Sequence, residues 1–396
     1  MKSRALKRPE VLALGSGITL LGVLRALSDI GIRALTLPDA IGPARRSRWF
    51  RSAPSLFAGA TAGNLPRLLE SLPARTVVMP CSDSWVRAVA SLPADIKEQY
   101  PSSVAPLDSL ETLVDKARFG ATLDRLGLPH PETHFLSRGE GLRGISAETL
   151  SQSFLKPLHS QQFFAHFGVK AFMVAGAENA ETTFASCTAA GFEMLLQRYV
   201  PGPPTNHYFV DGFVDRAGDT RALFARRRLR MNPPDFGNST AMVSVPVAEV
   251  DGAPQTLRTL FADLHYRGIF SAEFKRDARD GVLKLIEVNA RPWWYVEFAA
   301  RCGVNVCDMA VRDALGEPVP TITGYSVGRR CVFPYYDLDA VRAELSAGRI
   351  TLAEWARSWA GAYQPVFRWS DPVPAMSEIA GRIGGRIRRF TARAQG

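Results

Sequence analysis

Glu273 and Glu287 are the residues in this sequence whose types and spacing most clearly suggest chemistry. They lie in two consecutive segments, 269–277 and 282–289, in which apolar and polar residues alternate as they do in β-strands. Asp280-Gly281 between the segments indicates a hairpin turn. A three-residue loop about Asp280 places the two carboxylates opposite each other, ~5 Å apart, where they repel unless a cation lies between them.

The predicted register also gives the hairpin one apolar face. It pairs Phe274 with Ile286 and Ala272 with Val288. A two-residue Asp280-Gly281 turn would instead mix apolar and polar side chains on both faces. We therefore predict the three-residue loop.

Asn289 shares the face that carries the two acids. Two carboxylates and an amide oxygen are hard oxygen donors, which suit Mg²⁺ better than zinc. The alternative is a polar, solvent-facing side of a hairpin. It is less favoured because no lysine is interleaved near Glu287 and Arg291 follows on the same face.

The elements before this hairpin predict a separate α/β unit. Val11–Leu14, Arg33–Leu37 and Thr76–Met79 read as strands that alternate with helices, which predicts a doubly wound parallel sheet over residues 8–110. Gly15-Ser16-Gly17 after the first strand partly resembles a dinucleotide-binding turn. Leu20 stands where the third glycine belongs, so we interpret the turn as structural.

Composition bounds the class of protein. The chain has 396 residues, of which 46% are hydrophobic and 22% are charged, and this predicts a globular protein of two or three domains. Five cysteines without a CxxC pair argue against a disulfide framework and favour a reducing cytoplasm. Cys81 is expected to be a buried, unreactive thiol. We expect neither a secretion signal nor a transmembrane helix, because the sequence has no sufficiently long apolar run.

The net charge of +10 could indicate nucleic acid, an anionic surface or a phosphate-rich ligand. Arginines are concentrated in three places: 45–51, 226–230 and 382–393. No nucleic-acid-binding signature accompanies them, so we expect no nucleic-acid partner.

The hairpin brings the argument to a known family. Glu287-x-Asn289-x-Arg291, preceded by Glu273 on the neighbouring strand, resembles the metal-binding signature of ATP-grasp enzymes. The resemblance implies that Glu273, Glu287 and Asn289 hold Mg²⁺, or Mn²⁺ in its place, against the phosphates of ATP. It implies that Arg291 is the catalytic residue that stabilises charge at the reacting centre.

Further segments resemble the nucleotide-binding parts of the same family. A helix opened by a lysine, a strand closed by a lysine, a hinge at 197–200 and a basic strand follow one another in the family's order. The resemblance implies that the following residues bind ATP: Lys116, Lys156, Ser160, Lys170, Gln197, Val200, Arg228 and Arg230.

Two features depart from the family pattern. The loop that covers the phosphates is usually glycine-rich, but segment 160–170 contains Gly168 as its one glycine and three phenylalanines. Asn206 and His207 stand where an acidic residue commonly holds the ribose.

The resemblance implies an α/β fold, with α+β character in the catalytic part. An N-terminal domain (1–110) precedes a two-lobed ATP-grasp domain (111–320, with lobes at 111–193 and 194–320), and a C-terminal extension covers 321–396. The implied activity joins a small-molecule carboxylate to an amine through an ADP-forming acyl phosphate. A small-molecule kinase and a non-catalytic nucleotide-binding module are the alternatives. Trp293, Trp294 and Tyr295 line the substrate pocket or belong to the core.

The end of the sequence carries a basic amphipathic pattern. Ile379, Ile383, Ile387 and Phe390 fall on one helical stripe with arginines around it. Such a helix packs on the protein's own surface or contacts an anionic membrane peripherally. Gly381, Gly384 and Gly385 weaken an isolated helix, which favours packing on the protein.

Overall fold

The computed structural model describes residues 9–137, 141–158, 160–233 and 237–381, without the side chains of residues 160 and 161. Among these residues, no helix is long and apolar enough to cross a membrane. The C-terminal stripe predicted from the sequence lies mostly outside the described residues. Three sheets organise the described chain.

The first sheet is parallel, with strand order β2-β1-β3. The strand β1 is central because all four of its side chains are apolar and buried. The chain places β2 on one side of β1 and β3 on the other, which is the reversal of a doubly wound sheet. The elements are β1 Val11–Leu14, α1 Gly17–Asp29, β2 Leu35–Thr36, α2 Leu65–Leu69, β3 Val77–Pro80, α3 Asp83–Ala90 and α4 Ala94–Gln99.

The second sheet is antiparallel, with order β4-β7-β5-β6. Its inner face packs on helices through Leu155, Phe163 and Leu196, which are fully buried. The elements of this part are α5 Leu107–Val114, α6 Lys116–Arg125, β4 Thr133–Leu136, α7 Ala147–Ser151, β5 Ser153–Pro157, α8 Ser160–Phe167, β6 Phe172–Met173, α9 Ala177–Ala189 and β7 Met194–Arg198.

The third sheet has six strands, in the order β12-β11-β8-β9-β10-β13, all antiparallel. Helices cover it, so every residue of β8 is buried. The elements are β8 His207–Val214, β9 Thr220–Asn232, β10 Asn238–Val245, α10 Ala253–Asp263, β11 Gly268–Arg276, β12 Leu283–Asn289, α11 Val296–Cys302, α12 Val306–Leu315, β13 Arg330–Val332, α13 Pro334–Ser346 and α14 Leu352–Trp359.

The hairpin of β11 and β12 confirms the predicted pairing at its functional end. Glu273 lies opposite Glu287, and Ala272 lies opposite Val288. The predicted loop and the pair at Phe274 are wrong. The Asp277 N–H donates to the Val282 carbonyl, which leaves a four-residue loop.

A β-bulge reconciles the longer loop with the predicted pair of acids. Phe274 lies opposite Leu285, so Ile286 is the extra residue on β12. A bulge turns the extra residue and its neighbour toward the same side of the strand. Ile286 and Glu287 both line the same cavity as a result.

The C-terminal part of the chain packs back onto the parallel sheet. The guanidinium of Arg25 on α1 is fully buried, and it donates two hydrogen bonds of 3.1 Å to the Asp371 carboxylate. It also lies 3.4 Å from the Glu297 carboxylate on α11. Ser47 donates a 2.6 Å hydrogen bond to the same oxygen of Asp371.

Candidate active site

A cleft of about 450 Å³ lies between the four-stranded and six-stranded sheets. Its walls come from β5 and β7 on one side and from β8, β9, β11 and β12 on the other. Most of the residues predicted from the sequence to bind nucleotide or metal line this one cleft. These are Lys116, Lys156, Lys170, Gln197, Val200, Arg228, Glu273, Glu287, Asn289 and Arg291.

The two acids meet on the floor of the cleft, in different surroundings. Glu273 is nearly buried and accepts a 3.0 Å hydrogen bond from Arg228. Glu287 is exposed to the cleft and accepts a 3.1 Å hydrogen bond from the Asn289 amide. The oxygen donors therefore gather at one place while only one of the acids is neutralised by an arginine.

These surroundings move the two acids in opposite directions. Burial tends to raise the pKa of Glu273, but the charge of Arg228 and the hydrogen bond from His207 together hold it well below its usual range. The pKa of Glu287 is raised, first because the cleft walls displace water around it and then because Glu273 is negative. A bound cation would relieve this repulsion and keep both carboxylates ionised.

His207 is a site residue that the sequence interpretation did not assign. Its Nδ1 lies 2.9 Å from Glu273 Oε1, and burial lowers its pKa to about 4. The neutral ring must donate through Nδ1, because an ionised carboxylate can only accept. His207 thus orients Glu273 without adding a charge.

Two lysines face the acids from the smaller sheet. Lys156 donates a 2.9 Å hydrogen bond to the Gln197 side chain, and Lys116 donates one of 2.9 Å to the Leu158 carbonyl. The pKa of each lysine is lowered to about 8, mainly by burial and, for Lys156, also by the charge of Lys116. An anion bound beside these ammonium groups would raise their pKa values and favour their charged form.

The hinge forms an apolar and aromatic wall at one end of the cleft. Gln197 is paired with β4 on one side and β5 on the other, so the sheet occupies its backbone and its side chain reaches the lysine. Phe154, Tyr199 and Val200 complete this wall. A flat apolar slot of this kind suits a planar ring.

The basic strand β9 divides its arginines between the cleft and the core. Arg228 lines the cleft as expected. The prediction that Arg230 binds ATP is wrong. Its guanidinium is buried away from the cleft and donates hydrogen bonds of 2.7–2.9 Å to Asp337 and Ser358. Arg226, which was not predicted as a site residue, lines the cleft and stacks 4.0 Å from the Phe209 ring centroid.

The segment expected to form a phosphate-covering loop is instead the helix α8, followed by a turn. Phe163 is fully buried in this helix and packs on Phe167, Phe172 and Phe192 with ring centroids 4.8–5.7 Å apart. Phe163 and Phe167 therefore form part of a small core, whereas Phe164 is exposed. The side chain of Ser160 is outside the described residues.

Lys170 follows α8 and reaches across the cleft. Its ammonium donates a 3.2 Å hydrogen bond to the Asn238 side chain on β10. Burial lowers its pKa. The two sides of the cleft are thus connected by a lysine that also lines it.

Arg291 connects the hairpin to the parallel sheet. Its guanidinium donates hydrogen bonds of 2.8 and 3.0 Å to Asp83, the first residue of α3, and one of 3.0 Å to Asn289. Sequence reasoning missed Asp83, which lies 208 positions away. Cys81, two positions before Asp83, is buried as expected, and this burial raises the pKa of its thiol to about 12, which disfavours the reactive thiolate.

The aromatic residues after Arg291 lie on the cleft wall. Trp293 and Tyr295 are almost fully buried, whereas Trp294 is partly exposed, and all three line the cleft. The two interpretations of these residues, pocket lining and core packing, are both correct for Trp293 and Tyr295.

Comparisons with known proteins show what this chain is similar to in sequence and in fold. No family model matches the chain. D-aspartate ligase of Enterococcus faecium is 22% identical over 245 residues, which are 60% of this chain and 58% of that protein. The chain thus spans under two thirds of the length of this curated relative.

Solved structures share the fold over most of the chain. An N5-carboxyaminoimidazole ribonucleotide synthetase in complex with ADP has a TM-score of 0.62 at 16% identity, covering 83% of this chain and 82% of that one. The biotin carboxylase domain of the Hydrogenobacter thermophilus 2-oxoglutarate carboxylase, in complex with MgADP and bicarbonate, has a TM-score of 0.61 at 16% identity, covering 81% and 73%.

Proposed function

We propose that this chain, which has the ATP-grasp fold, is an ATP-dependent ligase that activates a small-molecule carboxylate and joins it to an amine. The observation that carries the proposal is the arrangement on the cleft floor. Glu273 and Glu287 lie opposite each other with Asn289 beside them, and two lysines of lowered pKa face them.

The lining of the cleft favours one orientation of ATP. Its base would enter the aromatic slot at Tyr199 and Val200, and its phosphates would extend past Lys116 and Lys156 toward the acids. Restoring full charge to both lysines favours binding of the polyanion.

The donor set at the floor fits Mg²⁺, with Mn²⁺ as a substitute. Two carboxylates and the Asn289 amide oxygen are hard ligands, and a cation between the carboxylates would relieve the repulsion from Glu273 that, after burial, raises the pKa of Glu287. Bound there, the metal would neutralise charge on the phosphates during transfer. Arg228 and His207 keep Glu273 ionised and oriented.

Arg291 is the proposed catalytic residue. It follows Asn289 on the same strand face, and Asp83 and Asn289 fix its guanidinium at the end of the cleft near the acids. Positive charge concentrated there favours transfer of the γ-phosphoryl group.

The proposed reaction has two steps. A carboxylate oxygen of the substrate attacks the γ-phosphorus and the bond to the β-phosphate oxygen breaks, which yields an acyl phosphate and ADP. The amine then attacks the acyl carbon and expels inorganic phosphate to form an amide. Neither step needs a protein nucleophile, which agrees with the buried, high-pKa Cys81.

The test is an ADP-release screen with Mg-ATP, pooled carboxylates and pooled amines. The D- and L-aspartates lead the panel as both carboxylate and amine, because the curated relative is a D-aspartate ligase. Sustained ADP release should require a carboxylate and an amine together. Hydroxylamine should replace the amine and yield a hydroxamate in step with ADP.

The matched control is Glu287→Gln, which keeps the shape of the side chain and removes one charge. We expect this variant to lose ATP turnover while its thermal unfolding temperature does not fall, because Glu287 is exposed, accepts a hydrogen bond from a neutral amide and is repelled by Glu273. AMP as the main nucleotide product, or a well-folded Glu287→Gln protein with normal activity, would overturn the proposal.

A further inference from the structure

An exposed apolar stripe lies on the last described helical segment, 373–381. Val373, Met376 and Ile379 are 50%, 63% and 44% exposed, while Pro374 and Ala375 are buried against the protein. Spacing of three residues places the exposed side chains along one side of the helix. Among the described residues, this stripe is therefore presented to the surroundings rather than packed on the protein, and of the stripe predicted from the sequence only Ile379 belongs to it.

Trp369 precedes the stripe and is 88% exposed. It stands at the edge of a surface cavity of about 560 Å³, which Phe367, Trp359 and Arg368 also line. Its ring contacts Phe367 edge-on, with the ring centroids 4.9 Å apart, but most of its large apolar surface faces water.

The surface beside Trp369 carries a cluster of arginines. A second cavity of about 220 Å³ shares Arg301 with the first and adds Arg329 and Arg330. Arg301 and Arg368 pair with Glu297 and Asp29, whereas Arg329 and Arg330 have no acidic partner among the described residues. The sequence that follows Gly381 contains five further arginines and no acidic residue.

We propose that this face, defined by Trp369, the 373–381 stripe and the arginines of the two cavities, docks on an anionic phospholipid bilayer. Trp369 and the stripe would enter the boundary between headgroups and acyl chains, where an amphipathic indole is favoured. The arginines would meet the phosphates and anionic headgroups.

Charge argues against a second copy of the chain as the occupant. A two-fold interface would bring the same arginine-rich face against itself, and like charges facing each other oppose association. An anionic bilayer supplies both the apolar interior and the negative charge that the face lacks.

The proposal is independent of the proposed catalysis. None of these residues lines the cleft between the sheets. Membrane docking can therefore fail while the ligase proposal holds, and the reverse is also true.

The experiment is vesicle flotation of the full chain. Vesicles of phosphatidylcholine and phosphatidylglycerol in equal parts are compared with pure phosphatidylcholine at low salt. We expect the protein to float with the anionic vesicles and to be released by high salt, because exposed charges are screened. Flotation should be absent or much weaker on pure phosphatidylcholine.

Two variants localise the effect. The double variant Trp369→Ser/Met376→Ser should bind anionic vesicles roughly tenfold more weakly, because it removes the largest exposed apolar groups. Arg329→Gln/Arg330→Gln should weaken binding and reduce its salt dependence. Leu56→Ser, which alters a half-exposed leucine of the N-terminal domain, is the control and should bind normally.

Each outcome decides the proposal. The parent chain failing to float on anionic vesicles would overturn it, as would equal flotation of the parent and the double variant. Light scattering that shows a dimer, abolished by the double variant without any vesicle binding, would assign the face to a second copy instead.

Discussion

Lys116 and Lys156 bring two positive charges into a partly buried cleft before any nucleotide is present. The pKa of each is lowered to about 8. Burial is the main cause, and for Lys156 the charge of Lys116 contributes as well. Each lysine is therefore part of the time neutral at slightly alkaline pH. An anionic ligand between them would raise both pKa values, so ligand binding and proton uptake are coupled.

We predict that binding of ATP to the protein takes up about one proton at about pH 8, shared between the two half-protonated lysines. The affinity for ATP should fall as the pH rises through this range. More of the lysines are then neutral, and they must take up protons at a lower proton concentration for ATP to bind. Calorimetric titration in buffers of different ionisation enthalpy measures the uptake directly.

Lys156→Met should reduce this uptake to about half a proton, because one of the two titrating groups is gone. Lys284→Met removes a lysine from the outer part of the hairpin, where it pairs with Asp280, and should leave the uptake unchanged. No uptake by the parent protein would mean that the nucleotide does not reach these lysines.

The sequence could predict those site residues that lie close together along the chain. The alternation that surrounds Glu273 and Glu287 also indicates which face Asn289 and Arg291 share. His207 and Asp83 had no such signal, because their partners lie 66 and 208 positions away. Alternation places Arg228 and Arg230 on one strand face, but the strand register shifts between them, and Arg230 pairs with Asp337 whereas Arg228 pairs with Glu273.

At the scale of elements, the hairpin shows what alternation alone leaves undetermined. The strands and the paired acids were predictable, but a longer loop combined with a bulge gives the same pairing as the shorter loop. The bulge is not neutral for the site, because it turns Ile286 into the cleft beside Glu287. An apolar contact thus adjoins the acids.

The segment expected to be a loop forms helix α8 because Phe163 and Phe167 on this helix pack in a hydrophobic core. We predict that Phe163→Ala destabilises the four-stranded lobe by about 3–5 kcal/mol, since a fully buried ring is lost from the aromatic cluster. Hydrogen exchange of the amides in β5 and β7 should become faster in this variant.

Phe164→Ala provides the matched comparison within the same helix, because that ring is 53% exposed. Its effect should stay within about 0.5 kcal/mol. If the two variants exchange alike, α8 does not support the lobe through its aromatic side, and the interpretation of this segment as a small core is wrong.

At the scale of the whole molecule, the buried Arg25 connects the two ends of the fold. The carboxylates of Asp371 and Glu297 neutralise the charge of its guanidinium, which also donates hydrogen bonds to the carbonyls of Pro365 and Val366. The parallel-sheet domain is therefore stabilised by residues that follow Arg25 by more than 270 positions. The three-stranded order was predictable from the sequence, but this contact was not.

We predict that Asp371→Ala lowers the free energy of unfolding by about 3–5 kcal/mol, because it leaves a buried guanidinium short of negative charge. Urea denaturation followed by circular dichroism measures the change. Asp29→Ala removes a more exposed partner, which pairs with Arg368, and should cost less than about 1 kcal/mol. Similar losses for the two variants would contradict the importance given to the buried pair.

The ion pairs of Arg25 also affect when the N-terminal domain can complete its folding during synthesis. The ribosome synthesises the parallel sheet first, but Asp371, whose carboxylate neutralises Arg25 on α1, follows that arginine by 346 residues. Until then the nascent first domain carries a cation that cannot enter its interior without cost. We expect this domain to remain open to chaperones and proteases through most of translation, and to become resistant only when Asp371 has left the exit tunnel.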